Sequence, residues 1–202
     1  MLIASDLLRA ALVCVAKGTS ADKHPQISGV HITRKHLEAT NGHALVRMEL
    51  TENVIDFDDD TDVDLIIRFC GDIPEEACFT DILLGDEPKA FHLGEDNKVF
   101  SFTRLEIIDR RFPDLDKTIP TEKQNVMPYF GAKYLAYPSL MFKGSGSVLM
   151  EPSGMETACR FRFCAFTNRI YGNPVFVVLP VHKDIFELAE QKVRELETDS
   201  DR

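Results

Sequence analysis

Leu37-Glu38-Ala39-Thr40-Asn41-Gly42-His43-Ala44-Leu45 reads as a strand, a tight turn and the start of a returning strand. Asn-Gly supplies the positive φ angles that a two-residue hairpin turn requires. About seventy residues further on stands Phe112-Pro113-Asp114-Leu115-Asp116-Lys117-Thr118-Ile119-Pro120. Its flanking prolines fix φ and remove backbone donors, so it reads as an extended connector leaving a domain. Neither segment looks like catalytic machinery.

Working outward, residues 6–17 carry apolar side chains at helical spacing, with Ser5 or Asp6 as the N-cap. A polar loop over 18–25 leads to three expected strands at 27–33, 35–40 and 44–50. A short apolar strand follows at 64–69. Asp72-Ile73-Pro74-Glu75-Glu76 has a cap, a first-turn proline and acids where a helix dipole favours them, so the spacing predicts a second helix closed by Gly85. Residues 89–93 and 98–105 form a hairpin around Gly94–Asn97. The first 108 residues thus read as a loose duplication of one α/β half-unit. Beyond the connector a helix is expected at 130–141, broken or kinked late by Pro138. Strands are expected at 147–152, 157–165 and 175–181, and residues 184–198 form an amphipathic helix on Ile185, Leu188, Ala189, Val193 and Leu196.

The 202 residues suit one and a half to two domains, and 44% hydrophobic with 28% charged residues is ordinary globular composition. No apolar run is long enough to span a bilayer and the first residues lack a signal pattern. Five cysteines without framework spacing fit a reduced, cytoplasmic setting. The net charge of −10 is local: residues 52–62 carry six acids and no base, and 184–202 carry seven acids against three bases. The remainder sums to zero. Such a chain does not simply coat DNA, although local basic clusters still can bind it.

The two opening segments, in this order, resemble those of the bacterial DNA polymerase III β sliding clamp. The helix from Ser5, the Ile27-Ser28-Gly29-Val30 strand entry, the Ala-Thr-Asn-Gly-His-Ala-Leu turn and the Phe102-Thr-Arg-Leu105…Arg111-Phe-Pro-Asp114 exit follow the order of that family's middle domain. The family usually has Asp-Gly at the turn. Tyr134-Leu135 and Phe176-Val-Val-Leu-Pro-Val181 match the second half of its last domain. The clamp's first domain and the first half of its last have no counterpart here. The resemblance implies an α+β, DNA-clamp-like fold with helices packed on antiparallel sheets. Its parts are a middle domain over 1–120, a half domain over 121–183 and an added C-terminal acidic helix over 184–202.

In that family a pocket between the middle and last domains captures peptide tails of other replication proteins. The matching positions here are Ile27, Thr40, Gly42, His43, Leu45, Pro113, Lys117, Thr118, Val177, Val178, Leu179, Pro180 and Val181. Ile27, Leu45, Val177 and Leu179 would form an apolar floor for leucine or phenylalanine side chains; they read equally well as plain core. The C-terminal helix would cover this pocket or pack on another subunit. The implied partners are replication or repair proteins carrying such peptides, with no cofactor and no catalysis. Double-stranded DNA is the further implied partner, bound without sequence reading through Arg9, Lys17, Lys23, Lys133 and Lys143; ordinary surface lysines are the competing reading. Glu75, Glu76 and Asp81 on the expected second helix oppose a DNA channel. A ring of twelve half-units would take four chains with three each.

Two other readings stand beside this one. The first is a decoy or regulator of a host replisome that never encircles DNA; the second is a small enzyme or metal protein. Cys159 and Cys164 fall on opposite faces of a strand, and Cys70 and Cys78 lack partners at zinc spacing. Asp56-x-Asp58-x-Asp60 has Thr61 where a calcium loop needs glycine and Ile67 where it needs glutamate. His31, His36 and His92 are lone strand residues, and Gly144–Ser147 lacks the Lys-Ser/Thr of a phosphate loop.

Overall fold

The computed structural model describes residues 1–50, 55–56, 63–144, 147–182 and 184–200, without side chains at 55–56 and 196–200. The acidic run at 52–62, with its calcium-loop reading, therefore falls almost wholly outside the described residues, as do the middle of the Gly144–Ser147 segment and the side chain of Leu196.

Among the described residues twelve strands form one sheet: β1 (Leu2–Ala4), β2 (Val30–Thr33), β3 (His36–Thr40), β4 (Ala44–Glu49), β5 (Ile55–Asp56), β6 (Asp64–Phe69), β7 (Phe79–Leu83), β8 (Lys89–Leu93), β9 (Val99–Ile107), β10 (Leu149–Pro152), β11 (Cys159–Arg162) and β12 (Val175–Val178). Their order is β10-β11-β12-β4-β3-β2-β6-β9-β8-β7-β1-β5, with antiparallel neighbours throughout. The join that matters is β4 to β12, where Leu45 pairs with Val177. It fuses the chain's last strand to the opening hairpin.

Helix α1 (Ser5–Val13) buries Leu7, Leu8, Ala10 and Ala11 against this sheet, as its spacing requires. Neither expected cap acts as one: the Ser5 hydroxyl points inward and lies 2.8 Å from Thr80 Oγ1. The helix stops at Val13, short of Lys17, because Cys14 to Ala16 run into the core and Ala16 N–H donates to Ile27 O at 2.8 Å. A short helix α2 (Thr19–Lys23) and a 3-10 turn (Pro25–Ile27) fill the expected polar loop and the first residue of the expected strand.

The second expected helix is absent. Asp72–Cys78 makes only a turn, with Ala77 N–H donating to Pro74 O at 3.1 Å, and Phe79–Leu83 is strand β7 between β1 and β8. Capping residues nucleate a helix cheaply, but here sheet pairing wins, and the alternate burial of Thr80 and Ile82 records it. Glu75 and Glu76 therefore stand on an exposed turn, and Asp81 lies on β7, bonded to the N-terminal amine at 3.1 Å. The duplicated half-unit repeats its strands and not its helix.

The expected helix at 130–141 is two short ones, α3 (Ala132–Leu135) and α4 (Tyr137–Met141). Pro138 sits in the first turn of α4, where its missing N–H costs nothing, so it starts a helix instead of breaking one. Strand β11 ends at Arg162, and a helix α5 (Ala165–Ile170) follows that its short sequence gives no period to foresee. Cys164 accordingly lies just ahead of α5, exposed, while Cys159 is buried in β11. Helix α6 (Ile185–Ser200) closes the described chain.

Side chains of β4 and β12 alternate between two cores. Ala44, Val46, Met48, Phe176 and Val178 join the main core under α1 and α4. Leu45 and Val177 face the other way, into a smaller cluster with Ile66, Ala158, Phe112 and Leu115. The second cluster is what fixes the connector to the sheet. Burying Phe112 and Leu115 there is worth roughly 1.5–3 kcal/mol each.

Candidate functional site

The Asn-Gly hairpin differs from the expected form in one respect. Only Gly42 has positive φ, at +85°; Asn41 does not. The two central residues are Gly42 and His43, and Asn41 braces them: its Oδ1 accepts the N–H groups of His43 and Ala44, each at 3.0 Å. Thr40 adds a second brace, donating its hydroxyl to Ala44 O at 2.9 Å. Asn41 Nδ2 donates to Tyr137 Oη at 3.2 Å, and the His43 ring stacks on Tyr134 at 5.6 Å. The turn is thereby locked both to itself and to α3 and α4.

Opposite it, the connector lies across the outer face of the sheet. A 3-10 turn (Leu115–Lys117), capped by the Asp114 carboxylate accepting Asp116 N–H at 3.2 Å, aims Leu115 inward. Phe112 stacks on His31 at 4.4 Å and 20° between planes. Beneath it runs a line of charge: the His31 ring nitrogens each lie 2.8 Å from a carboxylate, Glu38 and Asp64. Arg47 pairs with Glu38 and, at 2.5 Å, with Asp116 of the connector. Burial opposes the charge on both His31 and Glu38, but these bonds prevail: the imidazole is held above its ordinary pKa and the carboxyl below its own.

Between hairpin and connector opens a cleft of about 320 Å³. Nine of the thirteen positions expected to form a pocket line it: Ile27, Thr40, Gly42, His43, Leu45, Pro113, Thr118, Val177 and Leu179. Leu179 is held there by its N–H donating to His43 O at 2.8 Å. Four stand elsewhere. Lys117 is exposed and paired with Asp114 at 3.3 Å. Val178 points to the opposite face and is fully buried in the main core, as strand alternation demands. Pro180 and Val181 lie on the departing chain, where Val181 N–H donates to Tyr129 O at 2.8 Å. His24, Gln26, Ala44 and Leu115 also line the cleft. Leu115 was legible as the apolar residue between two aspartates; the other three depend on the turn before β2 and on the hairpin's tilt.

Among the described residues, those that line the cleft include no carboxylate and no cysteine. The cleft offers mainly apolar walls under a polar rim. A second hollow of about 600 Å³ adjoins it across His43 and Asn41, walled by Tyr134, Tyr137 and Lys17.

Of the expected phosphate contacts, Lys17, Lys23, Lys133 and Lys143 are exposed. Arg9 is not presented to solvent in the same way. Its guanidinium donates to Pro74 O at 2.5 Å, Ala77 O at 3.0 Å and Asp6 at 2.8 Å, and so secures the 72–78 turn.

No protein-family model and no curated protein matches the chain. Solved structures do. The sliding clamp of Bacillus subtilis DNA polymerase superposes with a TM-score of 0.61 at 14% identity, covering 91% of this chain and 64% of its own. The β chain of DNA polymerase III from Streptococcus pneumoniae TIGR4 gives 0.60 at 17% identity, over 91% and 64%. A protein named as a putative DNA polymerase III β subunit, from Eubacterium rectale ATCC 33656, gives 0.62 at 9%, over 91% and 65%. The chain has the fold of these bacterial sliding clamps, and it spans slightly less than two thirds of their length. Among the described residues no helix is long and apolar enough to cross a membrane.

Proposed function

We propose that this chain is a clamp-like, non-catalytic binding protein of DNA replication or repair that captures short peptides in the cleft between hairpin and connector. The observation that carries this reading is the convergence of three distant segments on one apolar hollow: residues 24–45, 113–118 and 177–179. Two bulky apolar side chains entering it would yield roughly 3–6 kcal/mol before ordering costs, which suits micromolar, exchangeable capture. His43 stands between this cleft and the neighbouring hollow, so a peptide longer than two anchors would cross over its ring. The parts fall at 1–120, 121–183 and 184–202, with the β4–β12 join as the seam between the first two.

The test is a fluorescence titration with a labelled peptide of Gln-Leu-x-Leu-Phe type. Micromolar binding that Leu179→Ser and His43→Ala each weaken about tenfold or more supports the reading. No binding by the wild type, and none after removal of residues 184–202, would sink it.

A second reading, a decoy or regulator that does not encircle DNA, is favoured by Arg9. The side chain is spent on the 72–78 turn, which itself exposes the acids Glu75 and Glu76, and no base. Under this reading duplex DNA binds weakly and Lys17→Glu, Lys23→Glu or Lys133→Glu barely changes it. A salt-dependent affinity that falls with each of these changes would restore the DNA-holding reading.

A further inference from the structure

Strand alternation puts Arg47, Arg68, Arg160 and Arg162 on the sheet face that carries the cleft, the face shared by Leu45, Ile66 and Ala158. Three of these guanidinium groups are paired: Arg47 with Glu38 and Asp116, Arg68 with Glu106 at 2.8 Å, and Arg162 with Glu151 at 3.3 Å. Arg160 is not. Its Nε is buried without a hydrogen-bond partner, and no ion pair among the described residues involves its side chain. Buried donors are as a rule satisfied, and one left unmade bears the cost of its own desolvation.

Register fixes where this group stands. Arg160 is directly across from Val177 on one side and from Glu151 on the other, and Val177 is across from Leu45. One row therefore runs Glu151, Arg160, Val177, Leu45, and its last two members floor the cleft. Glu151 is the natural partner of Arg160, but its Oε1 is taken by Arg162 and, at 3.9 Å, by Lys123. The acids of the connector are taken too, Asp114 by Lys117 at 3.3 Å and Asp116 by Arg47. Glu156 lies 3.7 Å from His182. The cleft itself offers only apolar and neutral polar or imidazole groups. A counter-charge for Arg160 therefore has to come with the ligand.

The guanidinium fork matches the two oxygens of a carboxylate and binds them with charge-assisted hydrogen bonds. Neighbouring strands lie about 4.8 Å apart, and an extended peptide advances about 3.3 Å per residue. Arg160 is thus one or two residues beyond a side chain seated on Val177. We propose that Arg160 receives a carboxylate flanking the apolar anchors of the captured peptide, and so selects acidic over neutral flanks. The inference rests on the capture reading above and adds what the peptide must carry. Val177, Leu45 and Leu179 accept any fitting apolar anchor, whereas Arg160 discriminates, rewarding an acid and opposing a base at that position.

The test is a fluorescence titration with labelled Gln-Leu-Ser-Leu-Phe, blocked at both termini and extended at one end or the other by Glu-Glu or by Gln-Gln. Extension at each end covers both directions in which the peptide can lie. At one end the Glu-Glu peptide binds wild type about tenfold or more tighter than its Gln-Gln counterpart. Arg160→Met, which keeps the apolar stem, brings the two within about twofold. Arg160→Lys, which keeps the charge and loses the fork, retains a preference of about threefold. Lys117→Gln, at an exposed cation outside the cleft, leaves the tenfold preference in place. The urea midpoint of Arg160→Met stands at or above that of wild type, because no hydrogen bond is lost. Binding of the Gln-Gln peptides with no gain from Glu-Glu at either end overturns this inference alone. So does a preference that survives Arg160→Met, one that Lys117→Gln erases equally (diffuse attraction), or a clear fall in the Arg160→Met midpoint (a structural role). If no peptide binds, the capture reading falls and this inference with it.

Discussion

Phe112→Ala probes the contact on which the cleft depends. Phe112 keeps only 8% of its surface exposed, packs with Leu45, Ile66, Leu115 and Val177, and roofs the His31 ring at 4.4 Å. Phenylalanine-to-alanine changes in cores cost about 3–5 kcal/mol. The cluster here is small and one side of it is solvent, so the lower end applies, about 3 kcal/mol, of which the ring stack supplies about 1. Urea denaturation followed by far-UV circular dichroism reads the loss directly. Pro113→Ala, at an exposed neighbour, serves as the control and costs under about 0.5 kcal/mol. Phe112 and Leu115 act on one cluster, so their double mutant departs from additivity by about 0.5 kcal/mol or more. With the connector loosened, Leu115 and Pro113 no longer hold their wall, and any ligand of the cleft binds more weakly. A Phe112→Ala cost below about 1 kcal/mol, or strict additivity with Leu115→Ala, would refute the claim that this cluster anchors the connector.

Three further outcomes are expected. Gly172 has φ +61°, its carbonyl accepts Glu49 N–H at 2.6 Å, and an added Cβ would strike the Glu49 carbonyl oxygen; Gly172→Ala should cost at least about 3 kcal/mol in denaturation, and a loss under 1 would contradict this packing. Thr80→Val strands two buried polar groups, Ser5 Oγ at 2.8 Å and His92 Nδ1 at 3.1 Å, for a cost of about 2 kcal/mol that Ser5→Ala in the same chain partly relieves. For His31 the folded pKa lies above the unfolded one, so its contribution is full below the ordinary imidazole value and fades as pH rises through the folded value. Glu38 is depressed, so its contribution is full above the ordinary carboxyl value and fades as pH falls through the folded one. Both contributions are full between the ordinary carboxyl and the ordinary imidazole values, so the connector is held best in mildly acidic solution. Proton NMR of the His31 ring checks this: its midpoint sits above the ordinary value, and Glu38→Gln brings it down.

Much of the molecule was legible before folding. The hairpin after Thr40, the proline-flanked connector, the α1 stripe and the β-branched run of β12 each carry their signal within a few residues, in turn chemistry or periodicity. The family resemblance then named nine of the cleft's lining residues. What misled was equally local. Asp72-Ile-Pro-Glu-Glu has every mark of a helix start, yet β7 is claimed by partners in β1 and β8 that lie many residues away on either side. Pro138 is expected to break or kink a helix and instead starts one, because a proline's effect depends on which turn it occupies, and that is settled by where the chain enters the fold.

By itself, then, the sequence determined where the chain turns and which stretches alternate, because backbone preference and hydrophobic period act over neighbouring residues. Tertiary structure alone decided three things. It made Leu45 and Val177 neighbours through the β4–β12 ladder, turned Arg9 inward onto two carbonyls of the 72–78 turn, and set Val178 on the far side of the sheet from Val177. Each follows from a pairing register or a buried donor seeking an acceptor, and those are fixed only when distant segments compete for the same partners.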